Sequence, residues 1–133
     1  MIAATELRLV LVTPETTLLD QSVRSIQLPL FDGSMGVLPG RAPVVGRLGR
    51  GELKFEATGS SKSYFVDGGF IQIKGSVVTL LTNRAIAADQ IDEAAAQRAL
   101  EVAQAMPAAT DEQYAAKSAA EEAARRMLKL RRN

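Results

Sequence analysis

Acidic side chains are the residues of this chain whose type could do chemistry. Asp92-Glu93 and Glu121-Glu122 are adjacent pairs, and Asp67 precedes two glycines. Acid/base catalysis needs such groups within hydrogen-bond reach of a reacting atom. Both pairs fall in helix-forming stretches, where neighbouring acids are typical of a solvated face. An aspartate beside glycines is typical of a turn, so we interpret all five acids as structural.

Histidine and cysteine are absent from the 133 residues. Their absence excludes Ser-His-Asp and Cys-His nucleophile systems and zinc sites with histidine ligands. The sequence also lacks a standard glycine-rich phosphate loop. We therefore predict no catalytic residue and no metal site.

Two function classes remain open. One is a non-catalytic interaction subunit, and the other is a small enzyme or a stand-alone β-sandwich that binds a ligand. A sizeable polar-lined pocket would favour the second class, whereas a flat apolar sheet face exposed on the isolated chain would favour the first.

Charge and hydropathy exclude further classes of protein. The formal net charge is +1, aromatic residues make up 5% of the chain, and there is no tryptophan. We therefore expect no basic surface patch that would bind nucleic acid and no group of aromatic side chains on which bases could stack. No apolar run approaches the roughly 20 residues of a membrane helix, so we predict no direct membrane insertion.

Residues 1–84 are predicted to form an antiparallel β-sandwich domain. Short alternating or apolar segments recur between turn residues, a pattern typical of sandwiches and barrels. The predicted strands cover residues 5–12, 23–28, 44–48, 52–57, 62–66, 70–73 and 77–81, with a short apolar strand at 35–38. The glycines at 49–51 and at 68–69 are interpreted as turns that separate strands.

Residues 85–133 are predicted to form an antiparallel two-helix hairpin, because alanine, glutamate and glutamine dominate up to residue 124. Asp89 or Asp92 is the predicted N-cap of the first helix, which ends near Ala105, just before a proline. Thr110-Asp-Glu-Gln113 is a capping-box pattern that predicts the start of the second helix.

The predicted helices carry thin apolar stripes. The stripe of the first helix consists of Ile91, Ala95, Val102 and Met106, and that of the second consists of Ala116, Ala120, Ala123, Met127 and Leu130. Since alanine buries little area at about 25 cal/mol per Å², we expect modest packing that allows the hairpin more than one position.

The end of the second helix is strongly basic. Residues 125–133 contain five bases and no acid. Cations near a helix C-terminus complement its dipole, but five exceed what the dipole requires. The segment is therefore either the binding site for an acidic partner or a solvated tail.

Three motifs together resemble the ε subunit of the bacterial F-type ATP synthase. They are FDGSMGVLPGRAPVV at 31–45, VDGGF at 66–70 and QID at 90–92, and the similarity runs from about Leu7 to the C-terminus. The resemblance implies a β-sandwich followed by a helical hairpin. It also implies a non-catalytic central-stalk subunit that couples proton translocation to ATP synthesis and regulates ATP hydrolysis through its C-terminal helices.

The resemblance also implies partners and a location. The sandwich would contact the γ subunit and the c-ring of the membrane sector, and the helices would contact the α and β subunits. The chain would be a peripheral protein on the cytoplasmic face of the bacterial inner membrane. The implied γ and c-ring contact residues are Asp32, Met35, Leu38, Arg41 and Val44, with Arg41 standing where many relatives have histidine.

Two regulatory features follow from the same resemblance. The extended helices of the family brake ATP hydrolysis, and the implied inhibitory basic face consists of Arg125, Arg126, Lys129 and Arg132. Many relatives also bind ATP through Ile-Asp-x-x-Arg-Ala. Here Ile91 and Asp92 are present, Ala95 replaces the arginine, and Arg98 lies three positions further on. We expect no cofactor, with ATP as a weak regulatory ligand, because alanine lacks the forked donors of arginine.

Overall fold

A computed structural model describes residues 6–40 and 43–132, which divide into two compact units, Met1–Ile86 and Ala87–Asn133. The first unit is built from strands and the second from helices. The strands are β1 Leu7–Val12, β2 Thr17–Val23, β3 Ser25–Leu30, β4 Gly33–Val37, β5 Val44–Ala57, β6 Ser60–Lys74, β7 Val77–Leu81 and β8 Ala85–Ala87.

The strands follow one another in the order β2-β1-β7-β6-β5-β3-β4, and β8 pairs with β6. The predicted β-sandwich is confirmed, with one departure from an antiparallel arrangement: β1 and β7 are parallel, with Leu9 beside Val78. Parallel neighbours require a long crossover connection. Here the intervening strands of the sandwich form that connection.

The two longest strands correct the predicted turns. The prediction of turns at residues 49–51 and 68–69 is wrong, because β5 and β6 run through both glycine segments. Leu48 pairs with Gly69 and Arg50 pairs with Asp67, so the regular ladder skips one residue on each strand. Glycine inside a strand often marks such a bend. On one side of the bend, residues 70–74 of β6 pair with β7. On the other side, residues 54–56 of β5 pair with β3. The paired strands β5 and β6 therefore run through both layers of the sandwich.

The core lies between the two layers of the sandwich and is built from every second side chain of the strands. Leu7, Leu9 and Leu11 of β1 are buried, as are Leu53 and Phe55 of β5. Every second side chain of a strand points to the same face, so the residues between them face outward. A sandwich filled in this way is a rigid frame for whatever its outer faces carry.

The second unit begins with a 3₁₀ turn at Ala88–Gln90 and contains α1, Glu93–Gln104, and α2, Asp111–Arg132. Asp92 is the N-cap of α1, since its Oδ1 accepts hydrogen bonds from the main-chain N–H groups of Ala94 at 3.0 Å and Ala95 at 3.2 Å. The alternative cap, Asp89, lies in the 3₁₀ turn.

The predicted capping box of α2 is confirmed. Thr110 Oγ1 accepts a hydrogen bond from the Gln113 N–H at 3.1 Å, and Gln113 Oε1 accepts one from the Thr110 N–H at 3.2 Å. The two residues thus satisfy each other's main-chain donors at the start of the helix.

The predicted apolar stripes are partly wrong. On α1, Ala96 and Ala103 are buried, whereas Ala95 is exposed and Val102 is 67% exposed. The buried line is therefore rotated by one residue from the predicted one. On α2, Ala116 is exposed; Ala123, Met127 and Leu130 are buried as predicted, together with Ala124 and Leu128, which the stripe omitted.

An exposed ion pair joins β1 and β2. Arg8 donates from Nε to Asp20 Oδ1 and from Nη2 to Asp20 Oδ2, both at 2.7 Å. These hydrogen bonds hold the pKa of Asp20 below its ordinary value of 3.8. Bidentate pairing of this kind fixes the geometry of both side chains.

The pair predicts a pH dependence of stability. A carboxyl whose pKa is lower in the folded state stabilises the fold above its unfolded pKa of about 3.9, and this contribution is lost as the pH falls through the folded pKa. We expect wild type to exceed Asp20→Asn in urea midpoint at pH 7 and the difference to shrink as the pH falls below 3.8. A pH-independent difference, or an Asp20 pKa at or above 3.8 by NMR titration, would contradict this assignment.

Candidate interaction surfaces

An apolar row crosses the outer side of the sheet. Phe70 of β6 and Leu81 of β7 are direct cross-strand neighbours, and they are 58% and 52% exposed. Val45 of β5 is 81% exposed and lies diagonally beside Phe70, because it pairs with Gln72. We call Val45, Phe70 and Leu81 the apolar face. Single exposed apolar side chains are ordinary, but a contiguous group on a rigid sheet indicates an interaction site.

Arg47 and Phe31 continue this row. Arg47 pairs with Phe70 across β5 and β6. Its guanidinium carbon lies 4.5 Å from the centre of the Phe31 ring, and Phe31 itself is 69% exposed. The main chain supports the contact, since the Phe31 N–H donates to the Arg47 carbonyl at 3.0 Å. The row therefore ends in a cation–π pair.

The contact residues implied by the resemblance lie at a different edge. Asp32 and Leu38 are exposed beside the edge strand β4, whereas Met35 and Val44 are half-buried and pack against the core. Arg41 lies outside the described residues. The assignment of these five residues to an interface stays a prediction.

Sequence reasoning did not find the apolar face. It selected Val44, which points toward the core, whereas the next residue, Val45, is exposed. The signal that could have found the face is the two-residue alternation of a strand. Val45 and Arg47 point outward, whereas Val44 and Leu48 between and beside them point toward the core. Joining the two outward residues to Phe70 and Leu81 also requires the register of three strands.

An open groove lies on the other layer. It has a volume of 370 Å³, and its lining mixes apolar residues such as Ile26 and Phe55 with the polar residues Gln27, Lys54 and Glu56. The side chains of Gln27, Lys54 and Glu56 are exposed, so the groove is open to solvent. A ligand site normally encloses most of its ligand and directs a few buried polar groups at it. Lacking both features, this groove gives little support to the ligand-binding alternative.

The carboxylate of Asp67 is held in an ion-pair network. Arg50 Nε donates to Asp67 Oδ1 at 2.6 Å, and Arg84 Nη2 lies 3.7 Å from Oδ2. The Arg84 guanidinium carbon in turn lies 5.5 Å from the centre of the buried Phe65 ring. Asp67 therefore stabilises the bend of β6, and it does so within a strand rather than in the predicted turn.

The remnant of the ATP motif contributes to the helical unit. Ile91 is buried, and its carbonyl accepts a hydrogen bond from Arg131 Nε at 3.0 Å. The Asp92 carboxylate caps α1, while Ala95 and Arg98 are exposed on that helix. The structure thus gives Ile91 and Asp92 structural contacts, and sequence reasoning missed the bond from Arg131.

Two of the four residues of the predicted basic face are already paired within α2. Arg125 Nη2 lies 3.1 Å from Glu121 Oε2, and Arg126 Nη2 lies 3.6 Å from Glu122 Oε1. Lys129 is exposed, and the side chain of Arg132 lies outside the described part. Exposed pairs one turn apart contribute only about 0.3–0.5 kcal/mol each, so a stronger partner could replace them.

Within residues 6–40 and 43–132, no group of three or more acidic residues is placed to hold a metal ion. In the same part of the chain, the helices are too short or too polar to span a membrane.

Comparisons with known proteins agree on one family. The family described as ATP synthase, Delta/Epsilon chain, beta-sandwich domain matches residues 6–88. The ATP synthase epsilon chain of Rhodopirellula baltica is 46% identical over 95% of this chain and 98% of its own length. That of Carboxydothermus hydrogenoformans is 36% identical over 74% of this chain and 73% of its own.

Solved structures give the same result. A chain of the Euglena gracilis mitochondrial ATP synthase aligns with a TM-score of 0.85 and 26% identity, covering 96% of this chain and 82% of the other. A chain of the Tetrahymena thermophila mitochondrial ATP synthase aligns with a TM-score of 0.76 at 14% identity, covering 98% and 99%, and supports the fold alone. The chain therefore belongs to the family of ATP synthase epsilon chains, the non-catalytic subunits of the membrane-associated ATP synthase.

Proposed function

We propose that this chain docks on the γ subunit through the apolar face and acts as a coupling element of the central stalk. The exposed row of Val45, Phe70 and Leu81 carries the proposal. Because these residues project from paired strands of a packed sandwich, a partner can cover them without reorganising the backbone. Covering apolar surface contributes about 25 cal/mol per Å², and a rotating stalk requires such a stable attachment.

The second contact of the sandwich is the c-ring of the membrane sector. The exposed residues Asp32 and Leu38 beside β4 support this assignment, since they leave side chains at a sheet edge for a partner. The aligned Euglena gracilis structure is described as containing an F1/c-ring assembly. In this proposal the subunit couples proton translocation to ATP synthesis at the cytoplasmic face of the bacterial inner membrane.

The helical unit regulates ATP hydrolysis by contacting the α and β subunits. The concentration of bases at the end of α2 supports this part of the proposal. Arg125 and Arg126 are held only by exposed pairs within the helix. An acidic partner can therefore compete for both guanidinium groups at low cost.

The experiment that tests docking is capture of the γ subunit and c-ring by the tagged chain at moderate salt. We expect Phe70→Asp to weaken binding to γ by at least about tenfold, because it replaces a large apolar side chain of the face with a charged group that the contact would have to desolvate. Ser60→Asp is the matched control, since Ser60 is exposed at the other end of the same strand and pairs with the uncharged Ala57. Equal capture by both variants would refute docking through the apolar face.

ATP binding to the isolated chain is expected to be weak. Asp92 caps α1, and the exposed Ala95 supplies no cation for phosphate. We expect Ala95→Arg to tighten binding in calorimetry by about tenfold, as one charge-assisted hydrogen bond does. Ala99→Arg places the same charge one turn later on α1 and should bind like wild type. Micromolar affinity of the unaltered chain would contradict the expectation.

A further inference from the structure

Arg47 is a permanent positive charge beside the apolar face, which the polar side chains of Gln72 and Thr79 border on its other side. Val45 precedes it on the same face of β5, Phe70 is its partner across β6, and the Phe31 ring lies 4.5 Å from its guanidinium carbon. Arginine does not lose its proton at physiological pH. Whatever covers the apolar face must therefore also cover, or pair with, this charge.

Several other arginines have a carboxylate partner, as Arg8 has Asp20 and Arg50 has Asp67. Among residues 6–40 and 43–132, no carboxylate pairs with Arg47. Its contact with Phe31 is sufficient while water solvates the rest of the guanidinium. A buried charge without a counterion is unfavourable by far more than one cation–π contact returns.

We infer that the docking partner carries a carboxylate that pairs with Arg47, surrounded by apolar side chains that cover Val45, Phe70 and Leu81. The inference rests on the proposed docking through the apolar face and names the chemistry of the partner there. A guanidinium that stacks on an aromatic ring keeps its in-plane N–H donors for a bidentate bond to a carboxylate. The ion pair would thereby align the partner on the apolar face, whose other contacts are apolar and have no preferred direction.

Binding to the purified ATP synthase complex depleted of its epsilon chain tests the inference. We expect Arg47→Ala to weaken binding by about tenfold or more and Arg47→Glu by about a hundredfold or more, since the second change brings two carboxylates together. Lys62→Ala removes an exposed cation from the other end of β6 and should leave the affinity unchanged. The affinity of Arg47→Ala should also depend less on salt than that of wild type.

If Arg47→Ala binds as tightly as wild type or more tightly, while Phe70→Asp abolishes binding, docking occurs through the apolar face but no carboxylate meets Arg47. That result overturns the inference and leaves the proposed function standing. If Phe70→Asp binds like wild type, docking occurs elsewhere, and both fail. Circular dichroism melting curves that match wild type show that each variant is folded.

A chemical test identifies the carboxylate directly. Arg47→Lys introduces a primary amine, which a water-soluble carbodiimide joins to a carboxylate in contact with it. In the reassembled complex we expect mass spectrometry to find an amide bond from position 47 to an aspartate or glutamate of another subunit. The lysines at 54 and 62 are internal controls for unspecific coupling. Products from these lysines to another subunit without one from position 47 would overturn the inference.

Discussion

Gly69→Ala is expected to lower the free energy of unfolding by about 3 kcal/mol or more, through backbone strain and overpacking together. Gly69 has a φ of +120°, which side chains rarely tolerate. A Cβ there would overlap the carbonyl oxygen of Leu81 and lie 2.8 Å from both the Leu81 carbonyl carbon and the Thr82 Cα. These are backbone atoms of the neighbouring strand, so no rotamer change can relieve the overlap. Urea unfolding followed by circular dichroism measures the loss.

Gly36→Ala is the matched control for this prediction. Gly36 lies in a strand, does not have a positive φ, and leaves the space around its missing Cβ open, with no heavy atom within 4 Å. We expect its free energy of unfolding to remain within about 0.5 kcal/mol of wild type. Similar losses for the two variants would show that the approach of Leu81 to Gly69 does not constrain the sandwich.

The same glycine explains why the strands were predicted too short. A pair of glycines between apolar runs is typical of a turn, and nothing within residues 66–70 contradicts that interpretation. The deciding atoms belong to Leu81 and Thr82, more than ten residues away. Glycine is required there because another backbone approaches closely, and this requirement becomes visible only once β6 and β7 are paired.

For a similar reason, the start of α2 could be predicted from the sequence, whereas the buried side of α1 could not. The capping box was predictable because its two residues, Thr110 and Gln113, satisfy each other locally. The buried line of α1 was not, because alanines occupy both the predicted and the observed positions, 95 and 96. With so little contrast around the helix, tertiary packing decides which alanine is buried, and Val102 is left exposed.

The apolar face is formed by residues that lie still further apart in the sequence. Val45, Phe70 and Leu81 come from three strands and become neighbours only through the pairing register. A one-residue change of register would turn each of these side chains to the opposite face. The family resemblance supplied the kind of partner, but the composition and spacing of the sequence could not supply the residues that would meet it.

The second large effect is expected at the basic end of α2. We predict that Arg125→Ala combined with Lys129→Ala and Arg132→Ala raises ATP hydrolysis by the reconstituted complex several-fold. Each exposed pair with an acidic partner contributes about 0–1 kcal/mol, and three together can shift an equilibrium between states a few kcal/mol apart. The increase should shrink as salt rises. Hydrolysis at the wild-type rate in low salt would identify the segment as a solvated tail.

Arg131 belongs to the same basic segment but should act in the opposite direction. Its Nε donates to the carbonyl of Ile91, so it joins the end of α2 to the residues before α1 and stabilises the folded hairpin. Removing it by Arg131→Ala costs the folded hairpin about 1 kcal/mol, which favours the extended state by roughly fivefold. We therefore expect Arg131→Ala to hydrolyse ATP more slowly than wild type, with faster amide hydrogen exchange at residues 93–96 as an independent sign of opening. If both variants changed hydrolysis in the same direction, the bases would act through total charge, and the bond to Ile91 would have no part in the brake.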